Sequence, residues 1–63
     1  MTVKQDLQKA LASAEAALGN YDTFAQSTQD QSAKQMFQQM SQDMRRHCQM
    51  LRDRLDYLEE TTQ

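Results

Sequence analysis

Sixty-three residues allow a single domain, and seven Lys and Arg against nine Asp and Glu leave a formal net charge of −2. That balance points neither to nucleic acid nor to a charged membrane surface. The chain has no proline, one glycine, two Phe and two Tyr. Valine occurs once and isoleucine is absent, whereas Gln, Ala, Met and Leu are abundant, so the composition favours helix and excludes a sheet.

No apolar run approaches the ~20 residues a membrane span requires. Thr2, Lys4, Gln5 and Asp6 interrupt any secretory-signal pattern at the start. The soluble cytoplasm is the default compartment, with no direct insertion into a membrane. A lone Cys48 cannot form an intramolecular disulfide and suits a reducing environment.

The first helix is expected over residues 3–27. Thr2 can cap its first turn, and Gln5, three residues on, completes a capping box. Leu7, Leu11, Ala14, Leu18, Tyr21, Ala25 and Thr28 then recur in steps of four and three, and Ala10, Ala17 and Phe24 widen the stripe on one side. So broad a stripe suits a bundle better than a narrow two-stranded seam. Gly19-Asn20 is the one candidate break. The register runs straight through it, with Gly19 roughly opposite the stripe, so the helix is expected to continue at a cost of about 1 kcal/mol relative to Ala.

The turn is expected at residues 28–30, within Ser27-Thr28-Gln29-Asp30-Gln31-Ser32. Thr28 with Gln31 has the spacing of a second capping box, and Asp30 complements a helix N-terminus. The second helix, residues 31–59, carries Ala33, Phe37, Met40, Met44, Cys48, Leu51, Leu55 and Leu58 on one face, with Met36 and His47 flanking it. Glu59, Glu60 and the polar Thr61-Thr62-Gln63 tail are expected to end it by fraying.

Two helices of similar length joined by a short turn lie antiparallel. Folding the chain about residue 29 or 30 sets Tyr21 near Phe37, Leu18 near Met40, Ala14 opposite Met44, Leu7 opposite Leu51 and Val3 opposite Leu55. The expected fold is thus an all-α, antiparallel two-helix hairpin.

One hairpin is a poor globule. For 7.3 kDa, area scaling gives an unfolded surface of ~10,600 Å² and a compact folded one of ~4,200 Å². If somewhat over half of the difference is apolar, burial contributes ~90 kcal/mol, and ordering about 58 residues costs about as much. A flat hairpin buries less than that compact limit. Pairing two hairpins into a four-helix bundle would cover both stripes, so the expected partner is a second copy, in a homodimer or a higher oligomer. The expected core and dimer interface is Leu7, Leu11, Ala14, Leu18, Tyr21, Phe37, Met40, Met44, Leu51, Leu55 and Leu58.

Three features invite a chemical reading. His47-Cys48 could be a metal ligand or a redox thiol beside a base, with Asp43 four residues earlier orienting the imidazole. Adjacent residues on a helix diverge by about 100°, however, so the pair does not converge on one ion, and a packed cysteine with a rim histidine is favoured. Met36, Met40, Met44 and Met50 follow helical spacing and could line an adaptable groove for a partner helix; a flexible bundle core is the preferred reading, with Met50 the most exposed. Arg45, Arg46, Arg52 and Arg54 form a basic cluster, but Asp43, Asp53, Asp56, Glu59 and Glu60 lie among them. Partners such as Glu15 across the hairpin, or Asp56 for Arg52, account for these charges, and no aromatic interleaving suggests nucleic acid. The eleven glutamines fit a solvated surface. No Gly-rich phosphate loop, Ser/His/Asp set or inward carboxylate pair occurs, so no catalytic, cofactor or metal residues are assigned and no enzymatic activity is expected.

The stretch Thr28-Gln29-Asp30-Gln31-Ser32-Ala33-Lys34-Gln35, the preceding Tyr21-Asp22-Thr23-Phe24-Ala25 and the opening Met1-Thr2-Val3 resemble a family of short proteins from endospore-forming Firmicutes, classed as a domain of unknown function. The resemblance spans most of the chain and is most specific at the turn. It implies a sporulation- or spore-associated role, a spore or forespore location and a membrane-protein partner. It supplies no site residues and no mechanism, and His47-Cys48 inherits no role from it.

Overall fold

A computed structural model describes residues Thr2–Thr61, without the side chain of Thr61. Two helices, α1 (Val3–Ser27) and α2 (Gln31–Thr61), pack against each other as an antiparallel hairpin. The described residues contain no strand. The expected polar ending at Thr62 and Gln63 lies outside the described residues.

The start of α1 follows its sequence signal. The Gln5 amide donates to Thr2 Oγ1 and the Thr2 amide to Gln5 Oε1, both at 3.1 Å, closing the capping box. The helix passes unbroken through Gly19, where an added Cβ would meet nothing within 4 Å. Thr28 ends it in extended backbone, its N–H donating to the Phe24 carbonyl at 3.0 Å.

The turn corrects one expectation. Thr28 does not cap α2 with Gln31, because α2 begins at Gln31 itself, too early for that residue to occupy the third helical position. Asp30 caps instead: its carboxylate accepts the Ser32 N–H at 3.2 Å, while its own N–H donates to Thr28 Oγ1 at 3.3 Å. An Asp beside the N-terminal dipole answers a second need as well as a free amide. At its far end α2 runs to Thr61, two residues past the expected stop at 59.

Between the helices the contact follows a strict heptad. On α1 it is Leu7, Leu11, Ala14, Leu18, Tyr21 and Ala25, with Thr28 just past its end; on α2 it is Lys34, Phe37, Ser41, Met44, Cys48, Leu51, Leu55 and Leu58. Every one of these positions is buried or half-buried. The most buried are Ala14, Ala25, Ser41, Cys48 and Leu55. Four of those five side chains are small, which lets the backbones approach closely. Ser41 replaces Met40 at the seam centre, and Met40 sits half-buried beside it. Next to the turn, Phe37 stacks on Tyr21 with ring centroids 6.4 Å apart and meets Phe24 at 5.4 Å. The expected pairing of Tyr21 with Phe37 is therefore present.

The molecule measures 49 × 18 × 11 Å between Cα atoms. It exposes 4749 Å², about 550 Å² more than the ~4,200 Å² expected of a compact globule of its mass. Most of the remaining seam residues, Leu7, Leu11, Leu18, Met44 and Leu51 among them, are only half-buried.

Candidate interaction face

The heptad gives the hairpin two unlike sides. In an antiparallel pair, the residues just after one set of seam positions meet their counterparts along one side, and those just before the other set meet along the opposite side. On the first side lie Gln8, Glu15 and Asp22 of α1 and Gln38, Arg45, Arg52 and Glu59 of α2. Arg52 donates to Glu15 Oε2 at 2.7 Å and Arg45 to Asp22 Oδ2 at 3.1 Å. Lys4 lies 3.4 Å from Glu59 at the open end. The expected partnership of Glu15 across the hairpin is thus formed, and Arg52 is its cation.

On the second side α1 presents Val3, Ala10, Ala17 and Phe24. Helix α2 presents Ala33, Met40, His47 and Arg54, flanked by Met36, Met50 and Tyr57. Val3, Phe24, Met36, Met50 and Tyr57 are the large exposed apolar residues of the described chain, and all five fall on this side. The widening of the first stripe by Ala10, Ala17 and Phe24 marks the same side in the sequence. Met50, at 69% exposure, is the most open methionine of those with a described side chain.

A groove of about 440 Å³ opens on this side near the free end, lined by Leu7, His47, Met50, Leu51 and Arg54. Leu7 and Leu51, expected to face each other, both border it. Arg54 sits over the Tyr57 ring, 4.8 Å from its centroid. This places Arg54 in the groove wall, a role its position in a basic cluster does not announce.

The His47-Cys48 pair divides between environments. Cys48 has no exposed surface and belongs to the seam. His47 is exposed and faces the groove. Asp43, which the disfavoured metal or redox reading would use to orient His47, is engaged elsewhere: its Oδ1 accepts from Arg46 and from Gln39 Nε2, the latter at 3.2 Å. No group of three or more His, Cys, Asp or Glu gathers into a metal-holding cluster among the described residues. No helix among them is long and apolar enough to cross a membrane.

Seam and sidedness together define a two-helix antiparallel coiled hairpin with one ion-paired side and one apolar side. Residues 7–55 match the family model described as protein of unknown function (DUF1657), and the chain belongs to that family. The matched stretch opens and closes on the seam residues Leu7 and Leu55, so it takes in both helices and the turn. No curated protein and no solved structure matches the chain.

Proposed function

We propose that this protein works by association rather than catalysis: it is a non-enzymatic, self-associating helical module whose hairpins pair into a four-helix bundle. The observation that carries this reading is the gathering of Val3, Phe24, Met36, Met50 and Tyr57 on one side while the cross-helix ion pairs occupy the other. A one-layer hairpin with an apolar side loses that area from water only by covering it, and a second copy is always at hand. The half-buried state of Leu7, Leu18, Met44 and Leu51 supports the same reading, since these seam residues gain from a further layer.

Sedimentation equilibrium at micromolar concentration tests it. The expected mass is that of a dimer or a larger closed assembly, with helical circular dichroism lost as the assembly dissociates. A folded, helical monomer at the same concentration overturns the proposal.

A partner-helix adaptor is the second reading, favoured by the exposure of Met36 and Met50, side chains that adapt to varied apolar partners. The resemblance to short proteins of endospore-forming Firmicutes supports a sporulation- or spore-associated setting in the cytoplasm or forespore, with a membrane protein as that partner. A metal- or thiol-dependent redox role for His47 and Cys48 draws no support from a thiol enclosed in the seam and an imidazole on another side.

A further inference from the structure

From the placement of knobs and groove on the apolar side, we infer that the second copy docks there antiparallel, each Phe24 entering the other copy's groove lined by Leu7, His47, Met50, Leu51 and Arg54. This arrangement rests on the self-association proposed above and adds its face, direction and anchor residue.

Three observations carry it. The first is area. The long and middle dimensions of the hairpin, 49 and 18 Å, describe a side of about 880 Å², close to the ~800 Å² per partner that a standard interface buries. The second is height along the helix. Phe24 lies nine residues to one side of the α1 midpoint at Glu15, and Leu7, in the groove wall, eight residues to the other. At 1.5 Å per residue both stand ~12–14 Å from the middle. A twofold axis at that height, lying in the plane of contact and perpendicular to the helices, therefore brings Phe24 of each copy level with the groove of the other. Near the axis this side presents Ala17 of α1 and His47 of α2.

The third observation is charge. The half of the side near the turn carries the uncharged Phe24, Ala33, Met36 and Met40, with Asp43, paired to Arg46, toward the middle. Arg54 lies in the half near the free ends. Parallel docking would gather both Arg54 side chains at the same end of a desolvated contact. Antiparallel docking sets each Arg54 beside the partner's aromatic Phe24, where a guanidinium is attracted to the ring face. Arg54 already takes this geometry over Tyr57. The ion-paired side, with Glu15, Asp22, Arg45 and Arg52, remains outermost and hydrated.

Cross-linking tests the arrangement. In a Cys48→Ala background, Phe24→Cys and Met50→Cys chains are mixed, treated with a short bismaleimide and resolved by mass. The expected product joins residue 24 of one copy to residue 50 of the other. Products joining 24 to 24 and 50 to 50, without the mixed species, overturn the antiparallel direction. A dimer in the analytical ultracentrifuge that gives none of these links overturns the face. A chain that stays monomeric overturns the self-association itself and is distinguished from both by its mass. Independently, Met50→Glu in the otherwise unaltered chain is expected to raise the dimer dissociation constant at least tenfold, with helicity retained at protein concentrations above that constant. Gln38→Glu, on the ion-paired side, is expected to change it less than twofold. Equal effects from the two substitutions overturn the assignment.

Discussion

Arg52 reaches across from α2 to Glu15 on α1 at 2.7 Å, and Arg45 repeats the contact one heptad nearer the turn, with Asp22 at 3.1 Å. Seven residues is the spacing at which a supercoiled helix returns to the same side, so the two bridges form a row. Both cations stand on α2 and both anions on α1.

The bridges add little to stability. Arg52 and Glu15 have side chains about half exposed, at 46% and 50%, so water and salt screen their attraction. A double-mutant cycle with Glu15→Ala and Arg52→Ala, followed by urea unfolding, is expected to give a coupling of about 0.2–1 kcal/mol. In molar salt the coupling should fall toward zero. A coupling above about 2 kcal/mol would contradict this account.

Gly19 offers a stabilising change. It sits inside α1 with open space where a Cβ would be. Gly19→Ala reduces the freedom of the unfolded chain without a native clash. The expected gain is about 1 kcal/mol. For a domain of this size that raises the melting temperature by about 4–8 °C. An unchanged or lower melting temperature would count against an unbroken helix at this point.

Ser41 is 2% exposed, and its hydroxyl has no hydrogen-bond partner in the hairpin. Removing a buried hydroxyl that makes no bond relieves its desolvation, and Ala is the better helix former. Ser41→Ala is expected to stabilise by about 1 kcal/mol. Ser41→Leu should instead destabilise by about 1–3 kcal/mol, because it wedges apart a seam built on small side chains. Chemical denaturation of the two variants beside the parent separates these signs.

Cys48 reports on opening of the seam. With no exposed surface, its thiol reacts only when the helices part. Its labelling by a thiol reagent in buffer is expected to be on the order of 100-fold slower than in denaturant, equivalent to ~2.7 kcal/mol of opening. Equal rates in both would place the thiol outside the seam.

Much of this architecture is legible in the amino-acid order, and the exceptions have physical causes. The first stripe reads directly from Leu7 to Thr28, because its four-three steps coincide with the seam. On the second helix, hydropathy ranks Met40 above Ser41, yet close approach needs a small side chain at the centre. Burial of a serine with no bonding partner is unfavourable by itself, so no hydropathy pattern announces it; only the seven-residue spacing to Cys48 and Leu55 does. At the turn, Thr28-Gln31 has the right spacing for a cap, but Asp30 competes for the same amides and wins from one residue before α2. The apolar side was marked by Ala10, Ala17 and Phe24. Its groove needed the other helix's register, which brings Arg54 and His47 beside Leu7.

The least dimension of the hairpin, 11 Å between Cα atoms, leaves one layer of two helices with nothing behind it. Such a strip opens as a zipper does. The contacts among Tyr21, Phe24 and Phe37 lie beside the turn and close the shortest loop, whereas the Lys4–Glu59 pair closes almost the whole chain. Loop-closure entropy grows with the length enclosed, so the contacts nearest the free ends are the most expensive to hold. Fraying accordingly begins there and travels toward the aromatic clasp. The groove around Leu7 and Met50 lies in the half that parts first, so a second copy docked there as proposed would act as the slider that keeps the teeth engaged.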